Sequence, residues 1–211
     1  MFKLEKEMIP VLKKHLSVKY QTEYFIDEFD SGNGIADLVF TTEKLNNNQK
    51  EQLDYELMYI VLKYFNRKNK RIEVKKLFKD TFLTKKQTYR LINHLLENDI
   101  LEFIDEENYY IKQKYSPPIK KIISIEAKLF DWKGGFHQAL RYKAYSHKSY
   151  LAISKEFAHR VDRGLLKEHN IGLIIVSPEK INFSINIINE EPSNSVAHAY
   201  LSEKLAYSLS I

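Results

Sequence analysis

The chain has 211 residues and a mass of 25.0 kDa, with 44% hydrophobic and 29% charged residues. That suffices for one ordinary domain or two small ones and argues against wholesale disorder. It contains no cysteine, which excludes disulfides, thiolate catalysis and cysteine-ligated zinc. No apolar run approaches the ~20 residues of a membrane helix. The charged start MFKLEKEMIP lacks the apolar core of a signal peptide. The expectation is a cytoplasmic protein with no membrane partner. The net charge of +5 is a slight pointer to an anionic partner.

In chain order, Leu4, Met8, Val11, Leu12 and Leu16 recur at helical spacing and predict a helix over 3–16, in which Pro10 is awkward. Residues 18–29 alternate as a strand does, SGNG at 31–34 is a turn, and Ile35–Phe40 is a short strand. Residues 43–52, with an Asn triplet, form a polar loop. A helix over 49–66 and a short one over 73–80 come next. A third covers 85–97, capped by Thr84, with Tyr89, Ile92, Leu95 and Leu96 inward. Ile100–Ile104 and Tyr109–Lys112 flank DEEN as a hairpin. The strongest strand, 120–130, precedes Gly134 and Gly135, which break the chain before a helix over 136–146. A strand at 150–153, a helix at about 156–168, strands at 172–177 and 181–188, and a helix at about 194–208 complete the order.

This is an α/β pattern interrupted by a helical block that ends in a hairpin. Residues 1–44 and 116–211 then form one discontinuous domain, and 45–115 a small one inserted in it.

Three charges stand out on otherwise apolar strands. Glu126 and Lys128 are two apart, so both point to one face of their strand while Ile123, Ile125, Ala127 and Leu129 point to the other. Asp37 is the same anomaly within IADLVF. Such charges are costly unless paired or used. Two carboxylates offer oxygen ligands to a hard cation such as Mg²⁺, and a lysine can orient a water and offset charge on a phosphorus.

With Glu126-Ala127-Lys128 on a core strand, Asp37 on an earlier one and a leading helix that carries Glu, the chain resembles the PD-(D/E)XK nuclease superfamily. Downstream, Gln138 and Tyr142 match the Gln-x-x-x-Tyr motif of its RecB-like branch, and their i, i+4 spacing puts them on one helix face. The resemblance covers about 1–44 and 116–180. Ala36 replaces the family's Pro, and the long gap from Asp37 to Glu126 requires the insertion. The resemblance implies a restriction-endonuclease-like mixed central sheet flanked by helices. It also implies Asp37 and Glu126 as ligands of Mg²⁺ or Mn²⁺, Lys128 beside the attacking water, and Gln138 and Tyr142 in support. Glu5, on the Met8/Leu12/Leu16 face, is the expected first-helix acid, with Glu7 the fallback.

Residues 45–115 resemble a winged helix-turn-helix domain. From Lys63 to Arg90 eleven Lys and Arg face only Glu73 and Asp80, as on a phosphate-facing surface. Lys85, Lys86, Gln87 and Arg90 are the expected DNA contacts on the third helix. The seven histidines show no zinc spacing, and His137, beside Gln138, is the one to watch. The expected function is a metal-dependent deoxyribonuclease that docks on DNA. The alternatives are a non-catalytic DNA-binding regulator and a subunit of a larger assembly. A homodimer or a larger nucleoprotein assembly stays open.

Overall fold

The computed structural model describes residues 1–44, 52–66 and 70–210. The expected loop with its Asn triplet, the first residues of the helix expected from 49, and Arg67 and Lys68 of the basic run fall largely or wholly outside the described residues.

The chain is mixed α/β. It opens with a 3-10 turn, Glu5–Glu7, and helix α1, Met8–Tyr20. Pro10 sits in the first turn of α1, where its missing N–H has no intrahelical acceptor to lose. The helix therefore runs on through 18–20, which alternation alone reads as strand. Strands β1, Phe25–Asp30, and β2, Ile35–Phe40, form a hairpin whose turn uses Gly32 and Gly34 at positive φ. Later come β6, Ile123–Lys128, helix α5, Trp132–Tyr142, strand β7, Lys148–Ser154, helix α6, Arg163–Glu168, strands β8, Gly172–Val176, and β9, Ile181–Ile185, and helix α7, Ser195–Leu209. The single helix expected at 156–168 is instead a 3-10 segment, Lys155–Arg160, and the short α6, which Asp162 caps.

These strands make one six-stranded sheet in the order β1-β2-β6-β7-β8-β9. β6, β7 and β8 are parallel, and the other neighbours are antiparallel. β2 and β6 lie side by side although residues 41–122 separate them. One face packs Leu38, Phe40, Ile125, Ala127 and Ala152 against Met8, Leu12 and Leu16 of α1. The other carries α5 and α7.

Residues between β2 and β6 build a separate apolar cluster from Leu53 to Tyr115. Its elements are α2, Tyr55–Tyr64, β3, Lys70–Glu73, α3, Val74–Thr81, α4, Lys85–Glu97, β4, Leu101–Asp105, and β5, Asn108–Ile111. β3 adds a third strand to the expected hairpin, in the order β3-β5-β4. Helix α4 has a full capping box between Thr84 and Gln87. Its inward face is Thr88, Leu91, Ile92, His94 and Leu95, whereas Tyr89, expected inward, is 48% exposed.

Helix α7 is buried on both sides. Leu201 and Leu205 meet the sheet, and Ala199 meets the 53–115 cluster. No described helix is long and apolar enough to cross a membrane.

Candidate active site

β2 and β6 pair up to Leu38 and Ile125, and one more step sets Asp37 opposite Glu126. Here the ladder stops, because the Asp37 side chain takes the place of a backbone acceptor. Its Oδ2 accepts the Ala127 N–H at 2.7 Å. Two residues on, the Lys128 ammonium lies 2.7 Å from Glu126 Oε1 and 3.6 Å from Glu5 Oε2. Glu5 Oε1 accepts the Leu129 N–H at 3.1 Å. The 3-10 turn before α1, rather than the helix itself, thus folds Glu5 over the end of β6. Glu7 accepts the Lys3 N–H at the exposed N-terminal turn.

The second Glu126 oxygen lies 2.6 Å from the Tyr142 hydroxyl, which also reaches the Ile35 carbonyl at 2.7 Å. Tyr142 thereby ties α5 to both site strands. Gln138, one turn earlier on α5, is half-buried, and its side chain makes no hydrogen bond among the described residues. His137 is exposed, with its ring against Phe136.

Gly135 is a residue that the sequence marks only as a helix breaker. It lies inside the first turn of α5, which Asp131 caps through the Gly134 N–H. A Cβ on Gly135 would sit 2.6 Å from Leu151 Cδ1 and 2.8 Å from Lys128 Cγ. Its lack of a side chain lets α5 press on the stem of Lys128. Glu28 escapes sequence reasoning as well. In the β1–β2 register it faces Asp37, and it holds a left-handed φ of 50°. With Lys6, Lys13 and Asp27 it lines a cleft of about 590 Å³ in front of Asp37. Nothing in the strand pattern marks either residue.

Burial pushes the carboxyl of Asp37 above the usual carboxylate range, against the Ala127 hydrogen bond and the Lys128 charge that pull it down. Burial raises Glu126 too, against its bonds from Lys128 and Tyr142, with the Asp37 charge adding to the rise. Burial alone would lower Lys128, but contact with Glu126 and the charges of Glu5 and Asp37 outweigh it and keep the ammonium protonated. One lysine therefore faces Asp37, Glu126 and Glu5, an excess of negative charge in a partly buried place. Oxygen donors with such an excess suit a hard divalent cation. No group of three or more His, Asp or Glu side chains among the described residues is arranged to hold a metal by itself.

The expected DNA contacts on α4 divide in two. Lys85 and Lys86 are exposed. Arg90 is held at 3.2 Å by Asp54 Oδ2 and at 2.7 Å by the Gln52 carbonyl, and the Gln87 side chain closes the capping box. Those two side chains serve the local framework. Comparison with known proteins finds no matching family model, no matching curated protein and no matching solved structure.

Proposed function

We propose that this chain is a metal-dependent DNA nuclease of the PD-(D/E)XK type, its restriction-endonuclease-like core carrying a winged helix between β2 and β6 that docks it on DNA. The observation that carries this reading is the Lys128 ammonium 2.7 Å from Glu126, with the Asp37 carboxylate held on the adjacent strand by the Ala127 N–H. The residues fit Mg²⁺ or Mn²⁺: Asp37 and Glu126 would hold the ion, with water and substrate phosphate oxygens as the other ligands that a hard cation of this kind would need. When bound, such an ion polarises the phosphate and lowers the pKa of a bound water.

The chain's own groups do the rest. Lys128 donates toward the attacking water or the charge that builds on the phosphorus. Glu5 and Glu126 hold that ammonium between them. Tyr142 fixes the orientation of Glu126, and Gln138 on the same helix is left to face substrate. Lys85 and Lys86 remain as phosphate contacts on α4.

The test is cleavage of DNA in Mg²⁺ and Mn²⁺ beside binding in Ca²⁺. Glu126→Ala and Lys128→Ala should each lower cleavage by at least about 10²-fold, with DNA affinity kept because the 53–115 unit supplies the docking. Undiminished cleavage by either variant overturns the site. One observation favours the assembly-subunit alternative. The β4–β5 hairpin exposes Phe103 and Ile104 beside Asp105, Glu106 and Glu107, of which Asp105 and Glu107 already pair with Arg71 and Lys75, so the tip offers an apolar surface rather than free cations for phosphate. A wild type that neither binds DNA nor cuts in either metal would shift the reading there, and one that binds but never cuts would favour the non-catalytic DNA-binding regulator.

A further inference from the structure

The parallel strands of the sheet end beside the candidate site, and their register aligns the residues just beyond them. Lys128 pairs with Ile153, and Ser154 with Val176. Two residues past Lys128 comes Phe130, one past Ser154 comes Lys155, and one past Val176 comes Ser177. The Ser177 N–H bonds to the carbonyl of Lys180, at the start of β9. Phe130, Lys155 and Lys180 thus succeed one another across the ends of β6 to β9, three strand spacings or roughly 14 Å.

The row has the chemistry of a strand-binding surface. Phe130 is 60% exposed, so most of its ring surface is open to a partner. Its ring pairs edge-to-face with Phe157, centroids 6.0 Å apart, and Arg160 lies over the Phe157 ring at 5.0 Å. Lys155 and Lys180 are exposed and make no ion pair among the described residues. Both line a cleft of about 460 Å³ with Ser177 and Asn182. Glu156, within the row, is turned onto the Ser154 hydroxyl.

We infer that this edge is a binding track for single-stranded nucleic acid that leads out of the candidate active site, with Phe130 stacking on an unpaired base and Lys155 and Lys180 holding successive backbone phosphates. An aromatic face exposed at the end of the Lys128 strand can stack only on a base whose own face is open, and a continuous duplex offers none. The inference rests on the nuclease reading for its meaning and narrows the substrate to DNA with a single-stranded segment.

The test uses the whole protein in EDTA, so that binding is read without cleavage. Trp132 is the only tryptophan and is half-buried two residues from Phe130. Its fluorescence reports occupancy of the track and not of the 53–115 unit. An oligo-dT should quench Trp132, and a blunt duplex should not. Phe130→Ala should weaken oligo-dT about tenfold, and Phe130→Tyr should restore it. Lys155→Ala with Lys180→Ala should lower the salt slope of oligo-dT binding by about 1.4, the share of two single-strand phosphates. All these positions are exposed, so the fold should survive. The track is overturned if wild type does not bind oligo-dT, if both variants bind it as wild type does, or if duplex affinity falls by the same factor. A wild type that is quenched but never cuts leaves the track and removes the nuclease; one that cuts while the variants bind normally does the reverse.

Discussion

Glu126 and Glu203 are both 1% exposed, yet they sit in two regions built to opposite ends. Glu203, on α7, closes the seam between the sheet and the 53–115 unit. It accepts the Tyr115 hydroxyl at 2.9 Å and the Leu53 N–H at 3.3 Å, and it lies 3.2 Å from His94 Nε2. Every donor comes from the unit and the acceptor from α7, so one carboxylate holds the two together. Burial and this carboxylate keep the Tyr115 hydroxyl far above its usual range and un-ionised as a donor. No second carboxylate is hydrogen-bonded in the seam among the described residues. Glu126 also has two partners, but Asp37 stands across from it and Glu5 competes for its lysine. Burial of an acid is therefore silent about its role; the neighbours decide. Donors alone make a structural joint, and a second acid leaves an excess of negative charge around one shared lysine.

Alanine at each glutamate tests the contrast most strongly. Glu203→Ala strands the Leu53 N–H, the Tyr115 hydroxyl and His94 without an acceptor. It should cost roughly 3 kcal/mol in denaturant unfolding. Glu126→Ala should cost about 1 kcal/mol or less in metal-free protein, since Tyr142 keeps the Ile35 carbonyl and Lys128 keeps Glu5. Equal losses would break the distinction.

A smaller effect sharpens the candidate-site side. Gly135→Ala drives a methyl against Leu151 and the Lys128 stem. A loss of about 1–3 kcal/mol in stability is expected, with a fall in kcat as Lys128 shifts and an unchanged affinity for DNA. Full activity in this variant would show that the α5 contact does not position Lys128.

The smallest effect is a pH dependence. Asp37 and Glu126 hold protons more tightly when folded than when unfolded. Over the window just above the usual carboxylate range the native state binds more protons, so metal-free stability should decline as pH rises through it. Ca²⁺ should reverse the decline by binding the ionised pair, raising Tm as its concentration increases. Thermal melts across pH with EDTA or Ca²⁺ check this. Absence of the Ca²⁺ effect in Glu126→Ala would assign it to this pair, and its persistence would place the ion elsewhere.

Much of this contrast lies in readable places and some does not. Asp37, Glu126 and Lys128 are legible because a charge within an apolar strand violates a local pattern, and strand parity alone sets Glu126 and Lys128 on one face. Glu203 is hidden because a glutamate in a helix is ordinary, and its donors come from Leu53, His94 and Tyr115, far away in the chain. Arg90 looks like a DNA contact for the same reason: its exposure in α4 is a local inference, while Asp54 and the Gln52 carbonyl that hold it belong to the N-terminal side of α2. Tyr89 reads as inward because helical spacing fits more than one face, and packing turns Thr88 and Leu91 inward beside the expected Ile92 and Leu95.

The sequence by itself determined the chain order of the six strands of the main sheet, the strand that carries Glu126 and Lys128, the i, i+4 placement of Gln138 and Tyr142, and the capped start of α4, because each depends on periodicity or on residues within a few positions; it missed β3 and the break between the 3-10 segment and α6. Only the tertiary structure decided that β2 and β6 are neighbours, that Glu5 rather than Glu7 reaches Lys128, that Gly135 lets α5 close on the site, and that Phe130, Lys155 and Lys180 share one edge. Those are matters of sheet register and interhelical distance, set by how apolar faces far apart in the chain bury one another, and no local stretch of residues encodes them.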